Sequence, residues 1–373
     1  MMSVSGQPAT AGTGHIDGRL VREPFLIAEH AEDLVDEVLE ITGVDAGEHG
    51  VVFHGRPRQG KGTDFDRVAE LLQERGYTSA LLEAGRGTAA VVVRPGHTPP
   101  FRSARPLMHW ALLAATLATT TWAGAAHVGV DLLAEPARWT TGLPYALALM
   151  LILGVHEMGH YVYARERHVR VSPPYFIPAP FFLGTFGAFI RMEGEVKSRA
   201  DYFDIAVAGP LAGLVVAMAA VVGGVALSAG PVIGHGMAPA SSFLFALLYQ
   251  LAGGGDPAVP VALGPVVFAG WLGLLVTALN LIPVGQLDGG HIAYALWGRE
   301  RSRMIGAGVI GVMIALGLFY SPHWLMWALL VWAFAGTNHP PSRNELRPLS
   351  WRRGLLAYAT FALFLLIVLP WPL

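Results

Sequence analysis

Three ionisable side chains interrupt an apolar run in the segment His156-Glu157-Met158-Gly159-His160. Two histidines four positions apart project from one face of a helix, one turn apart. This spacing lets both imidazoles bind one metal ion, and Glu157 between them can act on a water molecule held by that metal. Because charged side chains are costly in lipid, their presence inside an apolar segment predicts a functional site.

The composition is typical of an integral membrane protein. Of the 373 residues, 53% are hydrophobic and only 14% are charged. Several apolar runs approach or exceed the ~20 residues that cross a lipid bilayer. The net charge of −2 predicts no nucleic-acid partner. The chain has no cysteine, so any metal here must take nitrogen and oxygen ligands.

The order of polar and apolar segments predicts a polytopic α-helical membrane protein with a small N-terminal α+β soluble domain. Residues 1–23 are expected to be a disordered tail, 24–96 the α+β domain, 103–300 the core that carries the motif, and 301–373 C-terminal transmembrane helices. About six to seven spans are predicted. The candidate spans are 107–126, 143–164, 203–228, 262–281, 303–320, 322–337 and 353–371.

Hydrophobic periodicity gives the elements of the N-terminal domain. It predicts helices over 29–42 and 64–76, and strands over 50–55, 79–85 and 87–95. The segment from Gly55 to Gly62 approaches a phosphate-binding loop, but Gly62 replaces the expected Ser or Thr and Pro57 removes one amide. The domain also lacks repeated βα units, so the sequence disfavours nucleotide binding and favours a solvated basic turn.

Basic residues predict the orientation in the lipid bilayer. They collect on one set of flanks, for example at Arg165, Arg299 and Arg343, whereas the opposite flanks hold Arg138. Positive residues favour the cytoplasmic side. The N-terminal domain is therefore expected in the cytoplasm, the C-terminus outside, and the opening of the site on the cytoplasmic side.

The apolar segment 173–192 is long enough to cross the bilayer, but four prolines rule out a regular helix. Non-helical backbone at membrane depth must be buried in protein or line a cavity. We therefore expect a re-entrant loop beside the site, with a strand-like part around Gly184–Ile190. The alternative is a surface loop that dips into the membrane interface.

A metal site with two histidines needs a third protein ligand. Asp288 is the one acidic residue in the apolar stretch that ends the fourth predicted span, and Gly289 and Gly290 follow it. Pro283 and Gly285 can break the helix and turn the carboxylate inward. Alternatively, or in addition, the side chain of Asp288 caps a following helix.

These two segments together resemble the site-2 protease family of intramembrane zinc metalloproteases. The matching motifs are HEMGH and NLIPVGQLDGG, joined by AGPLAG at 208–213, and the resemblance covers residues 107–300. The PYFIP and GTFGAFI stretches and His339-Pro340-Pro341 are similar to a plastid and bacterial branch, named after the ethylene-dependent gravitropism-deficient and yellow-green proteins.

The resemblance implies an intramembrane zinc endopeptidase with one zinc ion per chain. His156, His160 and Asp288 would hold the zinc, and Glu157 would be the general base. Asn280 would stabilise the developing oxyanion, although Asn also forms hydrogen bonds between membrane helices. The implied partner is a transmembrane protein substrate that enters from the lipid bilayer.

An unwound substrate segment needs partners for its backbone, which a strand can supply. The expected substrate-binding residues are Gly184, Thr185, Phe186, Gly187, Ala188 and Phe189. The predicted external loop, 229–261, is too short for the PDZ domain that many members of the family carry.

Two other functions use the same motif. A membrane-anchored peptidase of the prenyl-protein protease type would take a glutamate as third ligand, and Glu193, Glu195 and Glu345 are the candidates. A membrane metal transporter would use the same ligands without cleaving peptides. A transporter should still move metal with Glu157 replaced by Gln, whereas a protease should lose cleavage and retain zinc.

Overall fold

The computed structural model describes residues 15–16, 19–20, 24–47, 50–58, 64–85, 87–96, 106–193, 195–227 and 232–371. The chain forms two compact units, Met1–Pro99 and Pro100–Leu373. Most of the predicted tail lies outside the described residues. Its described parts are two short antiparallel strands, β1 (His15–Ile16) and β2 (Arg19–Leu20).

The N-terminal unit is a four-stranded antiparallel sheet with two helices. Strand order is β3-β4-β6-β5. Alternate side chains of the strands, such as Val51 and Phe53 of β4, are buried, as are Val68 and Leu72 of the amphipathic α2. The elements are α1 (Pro24–Asp36), β3 (Leu39–Gly47), β4 (Gly50–Pro57), α2 (Phe65–Glu74), β5 (Tyr77–Gly85) and β6 (Thr88–Pro95).

The helix predicted over 29–42 was wrong at its C-terminal end. Helix α1 ends at Asp36, and the residues from Leu39 onward pair with β4. Leu39 is fully buried in that position, so sheet packing overrides the local helical pattern.

The segment that approaches a phosphate-binding loop begins inside a strand. Gly55 belongs to β4, where a Cβ atom would overlap the backbone carbonyl of Glu40 on β3. Close strand packing therefore explains this glycine without a phosphate ligand. Residues 59–63 of the motif lie outside the described residues.

The second unit is mostly helical. Its described helices include one at each predicted span, and two additional helices, α6 and α8, precede and follow the helix at the fourth span. They are α3 (Pro106–His127), α4 (Leu143–Glu166), α5 (Arg199–Ala226), α6 (Phe243–Leu251), α7 (Pro265–Asn280), α8 (Asp288–Trp297), α9 (Arg299–Phe319), α10 (His323–Ala335) and α11 (Trp351–Val368). Short 3₁₀ helices cover Pro136–Gly142 and Pro239–Ser241.

Four of the described helical segments are long and apolar enough to cross a membrane. They are Pro136–Glu166, Arg199–Ala226, Arg299–Phe319 and Trp351–Val368. Helices α7 and α10 are apolar but shorter. The total of six to seven spans therefore stays a prediction.

The apolar segment with four prolines contains an antiparallel hairpin of β7 (Tyr175–Pro178) and β8 (Thr185–Phe189). Gly184 turns the chain with φ +77°, and its carbonyl accepts a hydrogen bond from Thr119 of α3 at 2.6 Å. The hydroxyl of Tyr145 in α4 donates to the Leu183 carbonyl at 2.9 Å. The hairpin is thus fastened to two helices. A second pair of strands, β9 (Val232–Met237) and β10 (Val261–Ala262), lies in the predicted external loop.

Helices α4, α5 and α7 form the centre of this unit, because small residues let their backbones approach. At Gly159 of α4, a Cβ atom would lie 2.6 Å from the Ala208 carbonyl of α5. At Gly273 of α7, it would meet Ala217 of α5 and Ile152 of α4 at 2.9 Å. This packing fixes the faces from which the functional side chains project.

Candidate metal centre

The two motif histidines share one face of α4 and are both buried. Their Nε2 atoms lie 3.1 Å apart. Nδ1 of His160 lies 2.8 Å from the Ile205 carbonyl of α5. A carbonyl can only accept, so Nδ1 carries a proton and Nε2 is the nitrogen that can bind a metal.

Asp288 reaches the same point from the start of α8. Its Oδ2 lies 3.4 Å from Nε2 of His156 and 3.3 Å from Nε2 of His160. The turn before it bends at Gly285, whose φ is +51°. Asp288 is the first residue of α8 and the cap position is Leu287, so the alternative of Asp288 as a helix cap is wrong.

Backbone packing holds this turn in place. At Gly285 and Gly289, a Cβ atom would overlap the carbonyls of Ala335 and Leu281, respectively. The amide of Gln286 also donates to the Ala335 carbonyl at 3.0 Å. The C-terminal end of α10 therefore supports the loop that delivers Asp288.

The glycines of AGPLAG lie directly against the histidines. At Gly209 of α5, a Cβ atom would overlap the imidazole of His160, and at Gly213 it would lie 2.9 Å from the Cβ of His156. Two glycines four positions apart are typical of close helix packing. In the structure, the site also requires small residues at these two positions, because larger side chains would displace both imidazole rings.

The donor set fits a four-coordinate metal ion. Three atoms, the Nε2 atoms of His156 and His160 and Oδ2 of Asp288, converge with separations of 3.1 to 3.4 Å. Ligands bonded at about 2.0–2.1 Å in a tetrahedron lie about 3.3 Å apart. Without a cation or a proton, these electron-rich atoms would repel one another. Of the described residues, only these three histidine, aspartate or glutamate side chains form such a cluster.

A cavity of about 520 Å³ opens beside the cluster. Glu157 lines it and is 6% exposed. Asn280, the last residue of α7, also lines it and places Nδ2 3.2 Å from Nε2 of His156. The predicted base and the predicted oxyanion donor therefore lie in one cavity with the cluster.

Two of the six predicted substrate-binding residues, Ala188 and Phe189, line the cavity. The other four do not. Thr185 is buried and donates to the Ile177 carbonyl at 2.8 Å, which holds the hairpin together, and Phe186 is 68% exposed. The remaining two, Gly184 and Gly187, have positive φ values. Only the end of β8 therefore faces the cluster.

The glutamates considered as alternative third ligands lie elsewhere. Glu345 accepts hydrogen bonds from Arg299, at 2.7 and 3.0 Å, and from Tyr294 at 2.8 Å. Glu193 lies 3.8 Å from the Nε of Arg191, and Glu195 is exposed. The second peptidase hypothesis therefore has no third ligand among the described residues.

The loop between α10 and α11 reaches the cavity, which the sequence did not indicate. Pro340 lines the cavity, and His339 contacts His291, another lining residue. The only signal in the sequence was the His-Pro-Pro motif, which was assigned no role.

Residues 144–320 match the family model described as Peptidase family M50. The chain carries an M50 peptidase domain. This is the domain of site-2 proteases, and it includes the two motif histidines, Glu157, Asn280 and Asp288. The resemblance drawn from the paired motifs is therefore confirmed.

The curated proteins that are similar to this chain carry the name of the predicted branch. This chain is 28% identical over 362 residues to "Probable zinc metalloprotease EGY2, chloroplastic" of Oryza sativa subsp. indica. The match covers 89% of this chain and 63% of that protein. The chain is 34% identical over 241 residues to "Probable zinc metalloprotease EGY1, chloroplastic" of Oryza sativa subsp. japonica, covering 62% of this chain and 41% of that protein. The chain thus spans only part of these relatives. No solved structure matches it significantly.

Proposed function

We propose that this protein is a zinc endopeptidase that hydrolyses peptide bonds within or near transmembrane segments of membrane proteins. The observation that carries the proposal is the convergence of His156, His160 and Asp288 in a cavity that Glu157 also lines. The M50 domain and the zinc metalloproteases among its relatives support it.

The three clustered residues would hold one zinc ion per chain. When bound, zinc lowers the pKa of a water ligand to about 7 and polarises a peptide carbonyl. The Nδ1–H of His160, fixed by the Ile205 carbonyl, keeps the ligating nitrogen unprotonated. Gly209 and Gly213 leave room for both rings.

Glu157 would serve as the general base. Its carboxylate takes a proton from the attacking water and then delivers it to the leaving amide nitrogen. The side-chain amide of Asn280 can donate a hydrogen bond to the carbonyl oxygen as it gains charge. No covalent enzyme intermediate is required in this mechanism.

The substrate would enter from the lipid bilayer and bind in extended form. Its backbone groups can pair with the end of β8 at Ala188 and Phe189, which line the cavity. Pairing would offset the cost of unwinding a helix in a medium without water. With a cytoplasmic N-terminal domain, the cavity would open on the cytoplasmic side of the membrane.

The test is cleavage by purified protein in lipid nanodiscs, with a panel of single-span membrane proteins as substrates. We expect chelator-sensitive cleavage that Glu157→Gln reduces by about 10²–10⁴-fold while zinc content stays unchanged. Asp288→Ala should lose both zinc and activity. An absence of chelator-sensitive cleavage across the panel would contradict the proposal, and zinc flux through Glu157→Gln in proteoliposomes would indicate a transporter.

A further inference from the structure

Two histidines outside the ligand set form a direct contact behind the cavity. Nδ1 of His291 in α8 lies 2.5 Å from Nε2 of His339 in the α10–α11 loop. On its other side, Nδ1 of His339 lies 2.6 Å from the Pro340 carbonyl. Each residue is 8% exposed. The chain of contacts runs from a backbone carbonyl through both rings towards the cavity.

This chain fixes the position of every proton in it. The Pro340 carbonyl only accepts, so Nδ1 of His339 must donate. Burial lowers the pKa of His339 to about 2, so its ring is neutral and Nε2 carries a lone pair. That lone pair requires a donor, which is Nδ1–H of His291. Burial also lowers the pKa of His291, to about 4, so this ring is neutral as well and its Nε2 is unprotonated.

The surrounding side chains hold both rings in this arrangement. Tyr294 stacks on His339 at a centroid distance of 3.9 Å and an interplanar angle of 13°, and Tyr202 stacks on His291 at 5.3 Å and 13°. The Tyr294 hydroxyl donates to Glu345 at 2.8 Å. Rotation of either imidazole would break these stacks.

Backbone hydrogen bonds fasten the loop that carries His339. The amides of Arg343 and Asn344 donate to the carbonyls of Val196 and Lys197 at 2.9 and 3.0 Å. Glu345, which is 3% exposed, accepts from Arg299 at two nitrogens. The position of His339 is therefore set by the fold.

His291 lines the cavity, and within the described part of the chain its Nε2 has no hydrogen-bond partner. It does not belong to the cluster whose ligand atoms lie within 4.8 Å of one another. A peptide bound beside β8 can pair only one of its edges with that strand. In a water-poor cavity, an N–H on its other edge that found no acceptor would weaken binding.

We propose that His339 and the Pro340 carbonyl hold His291 in its Nδ1–H tautomer, so that Nε2 accepts a hydrogen bond from a backbone N–H of the bound substrate. His291 is then a substrate-binding residue, and His339 is a positioning residue that acts through it. This inference rests on the proposed peptidase function for the identity of the ligand, but the tautomer stands independently of activity.

The tautomer is measured directly by nitrogen NMR of the full-length protein in lipid nanodiscs, with ¹⁵N-labelled histidine. Loss of signals in His291→Asn and His339→Asn assigns the two rings. We expect Nδ1 protonated and Nε2 unprotonated in both. A proton on Nε2 of His291 would overturn the inference, whether or not the protein cleaves any substrate.

Two isosteric replacements test the acceptor. The amide of Asn replaces Nδ1 and keeps a donor for His339, whereas the amide of Gln places an oxygen near the position of Nε2. With a panel protein that the wild type cleaves as substrate, we expect His291→Asn to raise KM about tenfold with kcat little changed, and His291→Gln to raise it less than about threefold. Both should retain zinc, and His291→Gln should lower the Tm because it leaves Nε2 of His339 without its donor.

The kinetic outcomes separate binding from a structural role. If Asn preserved KM as well as or better than Gln, the contact with His339 would be purely structural and the inference would fail. A fall in kcat at unchanged KM would also overturn it, because the acceptor would then act on the reacting groups. If the wild type cleaved nothing, the proposed function would fail and the NMR result alone would decide the tautomer.

Discussion

The geometry around His160 depends on atoms that are not ligands. The Ile205 carbonyl sets which ring nitrogen is protonated, and Gly209 leaves space for the ring, both from α5. Such outer contacts orient a ligand and raise its basicity. Residues of α4, α5 and α8 together therefore determine the geometry of the site.

Gly209→Ala should therefore impair metal binding. Its Cβ atom would overlap the His160 ring, so the ring must rotate or α5 must move. We expect zinc affinity and cleavage to fall about 10–100-fold. Gly223→Ala in the same helix is the matched control, because nothing lies within 4 Å of its Cβ position. Equal zinc affinities in both variants, measured by titration with a competing chelator, would contradict the prediction.

The buried His339 predicts a loss of stability in acid. Burial depresses its folded-state pKa to about 2, whereas the unfolded value is about 6.5. Below pH 6.5 the unfolded state binds the extra proton, so the free energy of unfolding falls as pH falls, by up to about 1.4 kcal/mol per pH unit from this group.

The measurement is the Tm of the purified protein between pH 7.5 and 5.5. We expect the Tm of the wild type to fall more steeply than that of His339→Gln, which has no titrating ring. Parallel slopes for the two proteins would show that the ring is already protonated, or accessible to protons, in the folded state.

At the scale of elements, the hairpin β7–β8 places the C-terminal end of β8 at the cavity. The contacts of Thr119 with Gly184 and of Tyr145 with Leu183 anchor the opposite end of this hairpin in α3 and α4. An anchored hairpin can present its strand in a fixed place. Pairing with a substrate then requires backbone donors on β8 and nothing from its side chains.

Ala188→Pro removes one such donor and should reduce cleavage about tenfold or more. Zinc content should stay unchanged, because β8 contributes no ligand. Ala188→Val is the matched control, since it keeps the N–H and favours a strand. If cleavage by the Pro variant equalled that by the Val variant, substrate pairing with β8 would be wrong.

Local patterns predicted the apolar helices of the second unit, the pair of histidines and the strand at Thr185–Phe189. Apolar runs and the four-residue spacing of His156 and His160 are visible in short windows of sequence. The support from the α10–α11 loop was missed, because Glu345 and Tyr294 are common polar residues far apart in the chain. Their contact forms only when the chain folds, and hydrophobic periodicity does not predict it.

At the scale of the whole molecule, the composition makes the membrane topology accessible to cysteine labelling. The chain has no cysteine, so one introduced cysteine reports on one position. Glu135→Cys lies at an exposed position before α4, and Glu166→Cys lies at the opposite end of the same helical segment. We expect a membrane-impermeant thiol reagent to label the first in intact cells and the second only after permeabilisation. The reverse pattern, or labelling of both from outside, would contradict the predicted orientation.

The order of the functional residues along the chain has a consequence for biosynthesis. His156, Glu157 and His160 enter the membrane with α4, whereas Asp288 follows only after α5, α6 and α7 have been made. A nascent chain therefore holds two of the proposed ligands and the proposed base but lacks the proposed third ligand. We expect such a chain to be inert while it leaves the ribosome. Membrane proteins inserted beside it would not be cleaved until α8 has packed into the unit and brought Asp288 to the two histidines.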